Sequence, residues 1–150
     1  MALLAYVYVL AAFCIASSIQ TEYTKCASGE PEPLALRIEG CDKLPCPLVR
    51  GTNLKAQWDF AVASYATKLT PRVRVTVFGV TTDYDYPHKD ACKDLVNGEC
   101  PLEKGEEVTY SLSMPILKAY PALSLNIEFA LVDENKNAHV CFAINGKVVN

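Results

Sequence analysis

Apolar and polar residues alternate along most of this chain, and no other feature of the sequence restricts its fold as strongly. An alternation with a period of two places successive side chains on opposite faces of a strand, so each stretch is predicted to bury one face and expose the other. Glycines and prolines, among them Pro71 and Pro115, and a polar turn at 133–137 separate the stretches, and no long helical pattern occurs. This predicts an all-β fold, an antiparallel sandwich or barrel. The apolar residues of the six stretches are Leu34, Leu36 and Ile38; Leu54, Ala56, Trp58 and Phe60; Val73, Val75 and Val77; Val108, Tyr110, Leu112 and Met114; Leu123, Leu125, Ile127 and Phe129; and Val140, Phe142 and Ile144.

The first 21 residues carry no charged side chain, and the small residues Ala16, Ser17 and Ser18 follow an apolar start. A segment of this length and composition predicts a signal peptide at 1–18, although no lysine or arginine precedes its apolar part. A membrane anchor is the alternative, but polar residues from Gln20 onward come too early for the ~20 apolar residues of a span. The remaining residues, 19–150, are predicted to form one domain.

Of the seven cysteines, Cys14 lies in the predicted signal peptide. An even number remains, which in an exported chain predicts a disulfide framework. Short spacing favours the pairs Cys41–Cys46 and Cys92–Cys100 among the possible pairings, which leaves Cys26 for Cys141. No Cys-x-x-Cys occurs and neither histidine lies near a cysteine pair, so no metal site and no other cofactor is predicted.

Charge and motif content exclude several function classes. The net charge is −3, and the 14 lysines and arginines form no basic stripe, so no nucleic-acid partner is predicted. His139 follows the polar turn and is predicted to lie solvated on the surface. His88 lies near several carboxylates, but the segment lacks the glycine and the late glutamate of an EF-hand and is interpreted as a charged surface loop. No nucleophile–base pair is evident, so the protein is predicted not to be an enzyme.

The cysteine pattern resembles that of a known family. Gly40-Cys41-x4-Cys46, Cys92-x7-Cys100-Pro101, Tyr120-Pro121 and Val140-Cys141-Phe142 are similar to motifs of the ML family of lipid-recognition domains, above all the small soluble Niemann–Pick type C cholesterol-transfer proteins and their arthropod relatives. The resemblance extends from Cys26 to Val148. It implies an immunoglobulin-like antiparallel β-sandwich with an internal apolar cavity, and the same three disulfides.

The resemblance also implies a binding site for an apolar ligand. A phenylalanine that borders the pocket in the sterol carriers falls on Tyr84, with Tyr86 as the alternative, and a later segment falls on Pro115, Ile116, Tyr120 and Pro121. The sequence 81–86 is more polar than the family's proline-rich stretch, so a long-chain fatty acid is a candidate ligand beside a sterol. The residues expected to line the walls face inward in the predicted strands: Leu54, Val73, Val75, Val77, Leu125, Ile127, Phe129, Phe142 and Ile144.

The predicted function is that of a secreted, monomeric lipid carrier. No Asn-x-Ser/Thr sequon occurs, which favours secretion over delivery to the lysosomal lumen through an N-glycan. A membrane lipid-transfer receptor is a candidate partner besides the ligand. Two alternatives are a lipid-presenting co-receptor of innate immunity and a protein-binding β-sandwich without a cavity.

Overall fold

The computed structural model describes residues 20–150, which fold into two β-sheets packed face to face. The four-stranded sheet has the order β1-β3-β7-β6, and the five-stranded sheet has the order β2-β9-β8-β4-β5. One short 3-10 helix, Ala91–Asp94, precedes β6. This confirms the all-β sandwich, whereas the predicted signal peptide and Cys14 lie outside the described residues. The strands are β1 (Ala35–Ile38), β2 (Cys46–Val49), β3 (Asn53–Ala61), β4 (Thr70–Val77), β5 (Val80–Tyr84), β6 (Leu95–Asn97), β7 (Glu107–Pro115), β8 (Ser124–Val132) and β9 (Ala138–Val149).

The six alternating stretches correspond to β1, β3, β4, β7, β8 and β9. Three shorter strands, β2, β5 and β6, were not predicted because they lack that alternation. One of them changes the sheet type, since β2 pairs with β9 in parallel, with Cys46 opposite Gly146 and Leu48 opposite Val148. The five-stranded sheet is therefore mixed, not wholly antiparallel as predicted.

Two prolines expected between strands lie within them. Pro115 is the last residue of β7, and Pro71 lies in β4 opposite Leu131 of β8. On its other side β4 pairs with β5 through Val73–Val77, so β5 does not extend to Pro71. This part of β4 is an edge, where a residue without an N–H group is tolerated.

Aromatic packing and disulfides hold the two sheets together. Trp58 of β3 is fully buried, with its ring centroid 4.8 Å from that of Phe142 and 5.9 Å from that of Phe129, both in the opposite sheet. The predicted disulfides Cys26–Cys141, Cys41–Cys46 and Cys92–Cys100 are all formed. The first attaches the N-terminal segment to β9, and the second connects the turn after β1 of one sheet to β2 of the other.

His139 is buried, so the prediction of a solvated surface residue was wrong. The backbone N–H of Ala63, just after β3, donates to its Nδ1 at 3.0 Å, and its Nε2 lies 2.9 Å from Oδ2 of Asp133. Because Nδ1 accepts, the proton is on Nε2, which donates to the carboxylate. This bridge ties β9 to the end of β3 and closes one end of the sandwich. No helix of residues 20–150 is long and apolar enough to cross a membrane.

Candidate functional site

An apolar cavity of about 330 Å³ lies between the sheets at the end opposite His139. It is bounded by β2, the ends of β4, β7 and β9, the β5 edge strand, the β7–β8 loop and the first residues of β8. The side chains and backbone of the following residues form its wall: Leu48, Val75, Val77, Thr82, Asp83, Tyr84, Met114, Pro115, Ile116, Tyr120, Pro121, Leu123, Leu125, Ile127 and Val148.

The register of the β4–β5 hairpin decides which of its side chains face the cavity. Thr82 lies opposite Val75, and Tyr84 lies opposite Val73. Directly opposed residues of an antiparallel pair point to the same face, so Thr82 and Tyr84 share the inward face of the β4 valines. Asp83 points to the other face, where its carboxylate lies 3.4 Å from Nε of Arg74 and is largely exposed.

Backbone hydrogen bonds fix the opposite side of the mouth. Ile116 N–H donates to the carbonyl of Thr52 at 2.8 Å, and Gly51 N–H donates to the carbonyl of Ile116 at 2.6 Å. Arg50 donates to the carbonyl of Tyr120 at 3.2 Å, which attaches the β7–β8 loop to the end of β2. The wall segment from Ile116 to Tyr120 is thereby held in place without any charged group turning inward.

The parallel pair β2–β9 supplies two further wall residues, Leu48 and Val148. Gly146 makes their packing possible, because a Cβ at this position would lie 2.9 Å from Cδ1 of Leu48. A contact this short would displace the Leu48 side chain from its place in the wall.

The structure brings most of the residues predicted for the binding site together around the cavity. Their role as ligand contacts stays a prediction. The predicted residues that lie in the wall are Tyr84, Pro115, Ile116, Tyr120, Pro121, Val75, Val77, Leu125 and Ile127.

Six predicted residues lie outside this wall: Leu54, Val73, Tyr86, Phe129, Phe142 and Ile144. Phe129 and Phe142 pack on Trp58 in the solid part of the core. Tyr86, the alternative to Tyr84, is buried and donates from its hydroxyl to the carbonyl of Ser113 at 3.2 Å. Period-two alternation distinguishes inside from outside, but it does not show how far along a strand the two sheets separate.

Sequence reasoning missed six wall residues: Leu48, Thr82, Asp83, Met114, Leu123 and Val148. Met114 and Leu123 were predicted to face inward, so the alternation carried a signal for both. No comparable signal marked Leu48 or Thr82, because neither β2 nor β5 shows a clear alternation of apolar and polar residues.

The electrostatics of the wall suit an uncharged occupant. Within the described part of the chain, no lysine, arginine or histidine is among the lining residues. Burial, followed by the neighbouring Tyr120 hydroxyl, raises the pKa of Tyr84, so its phenol stays protonated at neutral pH. Cys26, Glu128 and Cys141 lie close together and are residue types that can bind metal ions. The two sulfurs form a disulfide with each other, so neither is a thiolate that could bind a metal.

The fold and the cavity place this chain among the β-sandwich proteins that have an apolar cavity between their two sheets. The chain belongs to the ML domain family, whose model matches residues 20–148. This confirms the predicted family, and with it the prediction that the protein is not an enzyme.

Individual relatives match over nearly their whole length. The chain is 32% identical to NPC intracellular cholesterol transporter 2 homolog a of Drosophila melanogaster, covering 97% of this chain and 99% of the relative. It is 27% identical to NPC intracellular cholesterol transporter 2 of Mus musculus, covering 96% of each.

A crystal structure of a Niemann-Pick type C2 protein from Japanese carpenter ant has the same fold. Its TM-score is 0.77 at 21% identity, covering 85% of this chain and 99% of that one. Chicken MD-1 complexed with lipid IVa is more distant, with a TM-score of 0.53 at 16% identity over 83% of this chain and 87% of that one.

Proposed function

We propose that this protein is a secreted carrier that holds a sterol or another long-chain lipid in the cavity between its two sheets. The observation that carries the proposal is the 330 Å³ apolar cavity between the two sheets at one end of the sandwich. The relatives named as cholesterol transporters in fly and mouse support lipid transport as the biological role. Secretion and a monomeric state belong to the same proposal.

The energetics favour large apolar ligands. Removing apolar surface from water contributes about 25 cal/mol per Å². Association costs on the order of 4–15 kcal/mol, so a ligand must bury several hundred Å² to bind usefully. The cavity volume lies within the range of about 300–1,000 Å³ that is typical of small-molecule sites. A lipid tail or ring system meets this requirement, and a small polar metabolite does not.

Ile116→Asp tests the site directly. Ile116 is 3% exposed and lies in the cavity wall, so an aspartate there would place an unpaired carboxylate against the ligand. Burying such a group costs several kcal/mol, and we expect at least a tenfold loss of affinity for a fluorescent sterol, on the order of 1.4 kcal/mol or more. Fluorescence titration of delipidated protein measures the affinity, and thermal unfolding checks the fold.

The matched control is Leu117→Asp, because Leu117 is the next residue but is 49% exposed. It should bind the sterol as the wild type does. Val77→Trp provides a second route if Ile116→Asp does not fold, since a larger side chain would fill the cavity without adding charge. Unchanged sterol affinity in a folded Ile116→Asp protein would refute the placement of the site, and no saturable binding by the wild type would refute the carrier.

The two alternative functions make different predictions. A protein-binding sandwich without a cavity predicts inner faces that interlock along their whole length, which disagrees with the space between β4, β7 and β8. A lipid-presenting co-receptor predicts a stable protein partner that co-purifies with the carrier. The likeness to chicken MD-1 bears on the fold alone.

A further inference from the structure

We propose that the mouth of the cavity is a head-group site for an uncharged, oxygen-bearing lipid, formed by the hydroxyl groups of Thr82, Tyr84 and Tyr120. The inference rests on the proposed carrier function and narrows its ligand class. It selects a lipid alcohol over the corresponding fatty acid anion.

The three hydroxyl-bearing residues meet at one place. All three belong to the cavity wall, where Thr82 is exposed and both tyrosines are half-buried. This gradation places them at the rim, between the apolar interior and solvent. Each hydroxyl donates one hydrogen bond and accepts others, which matches the single donor and two acceptor sites of an alcohol.

The two tyrosines come from different elements, Tyr84 from the end of β5 and Tyr120 from the β7–β8 loop. Both line the same cavity. Burial, followed by the neighbouring Tyr120 hydroxyl, raises the pKa of Tyr84, in keeping with that placement. A head group between them would find hydroxyl groups on both sides.

The charges around the mouth disfavour a carboxylate. No cation within the described part of the chain lines the cavity, and the nearby acidic side chains of Asp83 and Asp85 are largely exposed. Arg74 and Lys89 each pair with one of these aspartates, and Lys118 of the β7–β8 loop is exposed, but none of the three lines the cavity. A fatty acid anion would therefore lose hydration without gaining a counter-ion, which an uncharged alcohol avoids.

The other face of β5 offers a matched control. Thr81 is adjacent to Thr82 but points away from the cavity, and its Oγ lies 2.7 Å from Oγ of Thr76. Replacing either threonine by valine removes one hydroxyl from the same strand with nearly the same shape. A difference between the two variants therefore reports the direction of the hydroxyl and not the chemistry of the strand.

The test uses delipidated full-length mature protein at pH 8 and two ligands with the same tail, 1-hexadecanol and palmitate. Each competes with the neutral dye N-phenyl-1-naphthylamine, whose fluorescence reports cavity occupancy. We expect the alcohol to bind about tenfold more tightly. Thr82→Val and Tyr84→Phe should each weaken binding of the alcohol about three- to tenfold, as expected for one neutral hydrogen bond. The dye affinity of each variant is measured separately and used to convert its competition data.

Thr81→Val should bind both ligands and the dye as the wild type does. The head-group site would be refuted if the alcohol and palmitate bound with equal affinity at pH 8, or if Thr82→Val and Tyr84→Phe left the affinity for the alcohol unchanged. Either result would leave the proposed carrier function intact. If neither the dye nor either ligand binds, the proposed carrier function itself fails.

Discussion

His139 and Asp133 form a buried pair that the sequence does not reveal. A polar turn precedes His139, and such turns ordinarily lie in water, which is why a surface position was predicted. The turn instead folds back on itself, because the Asp133 carboxylate accepts from the backbone N–H groups of Asn135 and Asn137 at 2.8 and 3.0 Å. The carboxylate is thereby turned inward, where it meets the imidazole.

This pair makes stability depend on pH. Burial alone raises the pKa of Asp133, but the hydrogen bonds from His139, Asn137 and Asn135 outweigh it and hold the pKa below its ordinary value. A carboxyl with a lowered folded-state pKa contributes stability above its unfolded pKa of about 3.9, and that contribution is lost as the pH falls through the folded value. We expect Asp133→Asn to destabilise by about 1–3 kcal/mol at pH 7.

Urea unfolding at pH 7, 5 and 3 measures this effect. The difference between wild type and Asp133→Asn should begin to shrink as the pH approaches 3, because the unfolded chain takes up a proton at Asp133 at a higher pH than the folded protein does. A constant difference across that range would show that ionisation of Asp133 contributes nothing to folding.

At the scale of elements, the turn of the β4–β5 hairpin contains a residue whose side chain disfavours the backbone conformation it adopts. Its two-residue turn consists of Phe78 and Gly79, with Val77 opposite Val80, and both turn residues have positive φ, 50° and 77°. Glycine adopts this region freely, whereas a left-handed backbone costs an ordinary L-residue about 1–2 kcal/mol. Phe78 is also 90% exposed, so no packing offsets the cost.

Phe78→Asn should therefore stabilise the protein by about 1 kcal/mol, because Asn-Gly is the preferred sequence for a turn with two positive φ values. The urea unfolding midpoint measures the gain. Phe78→Ala is the comparison, since it removes the same ring but retains a side chain that disfavours positive φ. Equal stability of the two variants would attribute the gain to removal of the exposed ring and not to the backbone.

The strands fall into two groups, those that could be predicted from their own sequence and those that could not. β3 and β7 alternate over all nine of their residues, β8 alternates from its start to Phe129, and all three were predicted from that pattern. β5 is an edge strand with Thr81, Thr82 and Asp83 in its centre, and β2 contains a proline and two adjacent apolar residues. Both form strands because they pair with a neighbouring strand, β2 with β9 and β5 with β4, so their own sequences do not predict a strand.

For the whole molecule, the wall of the cavity was predictable on one side and not on the other. The inward residues of β4 and β8 follow from alternation. How far the cavity extends along each strand does not follow from it. Val75 and Ile127 line the space, whereas Val73, two residues before Val75, and Phe129, two residues after Ile127, are buried in the core outside the cavity wall. That boundary depends on where the bulk of Trp58 fills the gap between the sheets, which is a property of three-dimensional packing.

The three disulfides should contribute unequally to stability. Cys26–Cys141 spans 115 residues, whereas Cys41–Cys46 spans 5. In the chain-entropy model, closing the long loop contributes about 5 kcal/mol and closing the short loop about 2 kcal/mol. Replacing both cysteines of each pair by alanine and measuring urea unfolding tests the ranking. A greater loss from removing Cys41–Cys46 would show that native-state packing, and not loop closure, dominates.

The position of β9 has a consequence for biogenesis. The last strand of the chain lies between β2 and β8, and Thr24, near the start of the described residues, exchanges backbone hydrogen bonds with Ala143. The five-stranded sheet therefore lacks an inner member until residues 138–149 have left the ribosome. Pairings between such distant residues slow folding, so this domain should emerge into the compartment where it folds with its apolar faces still uncovered, and complete its sheet only once β9 has been made.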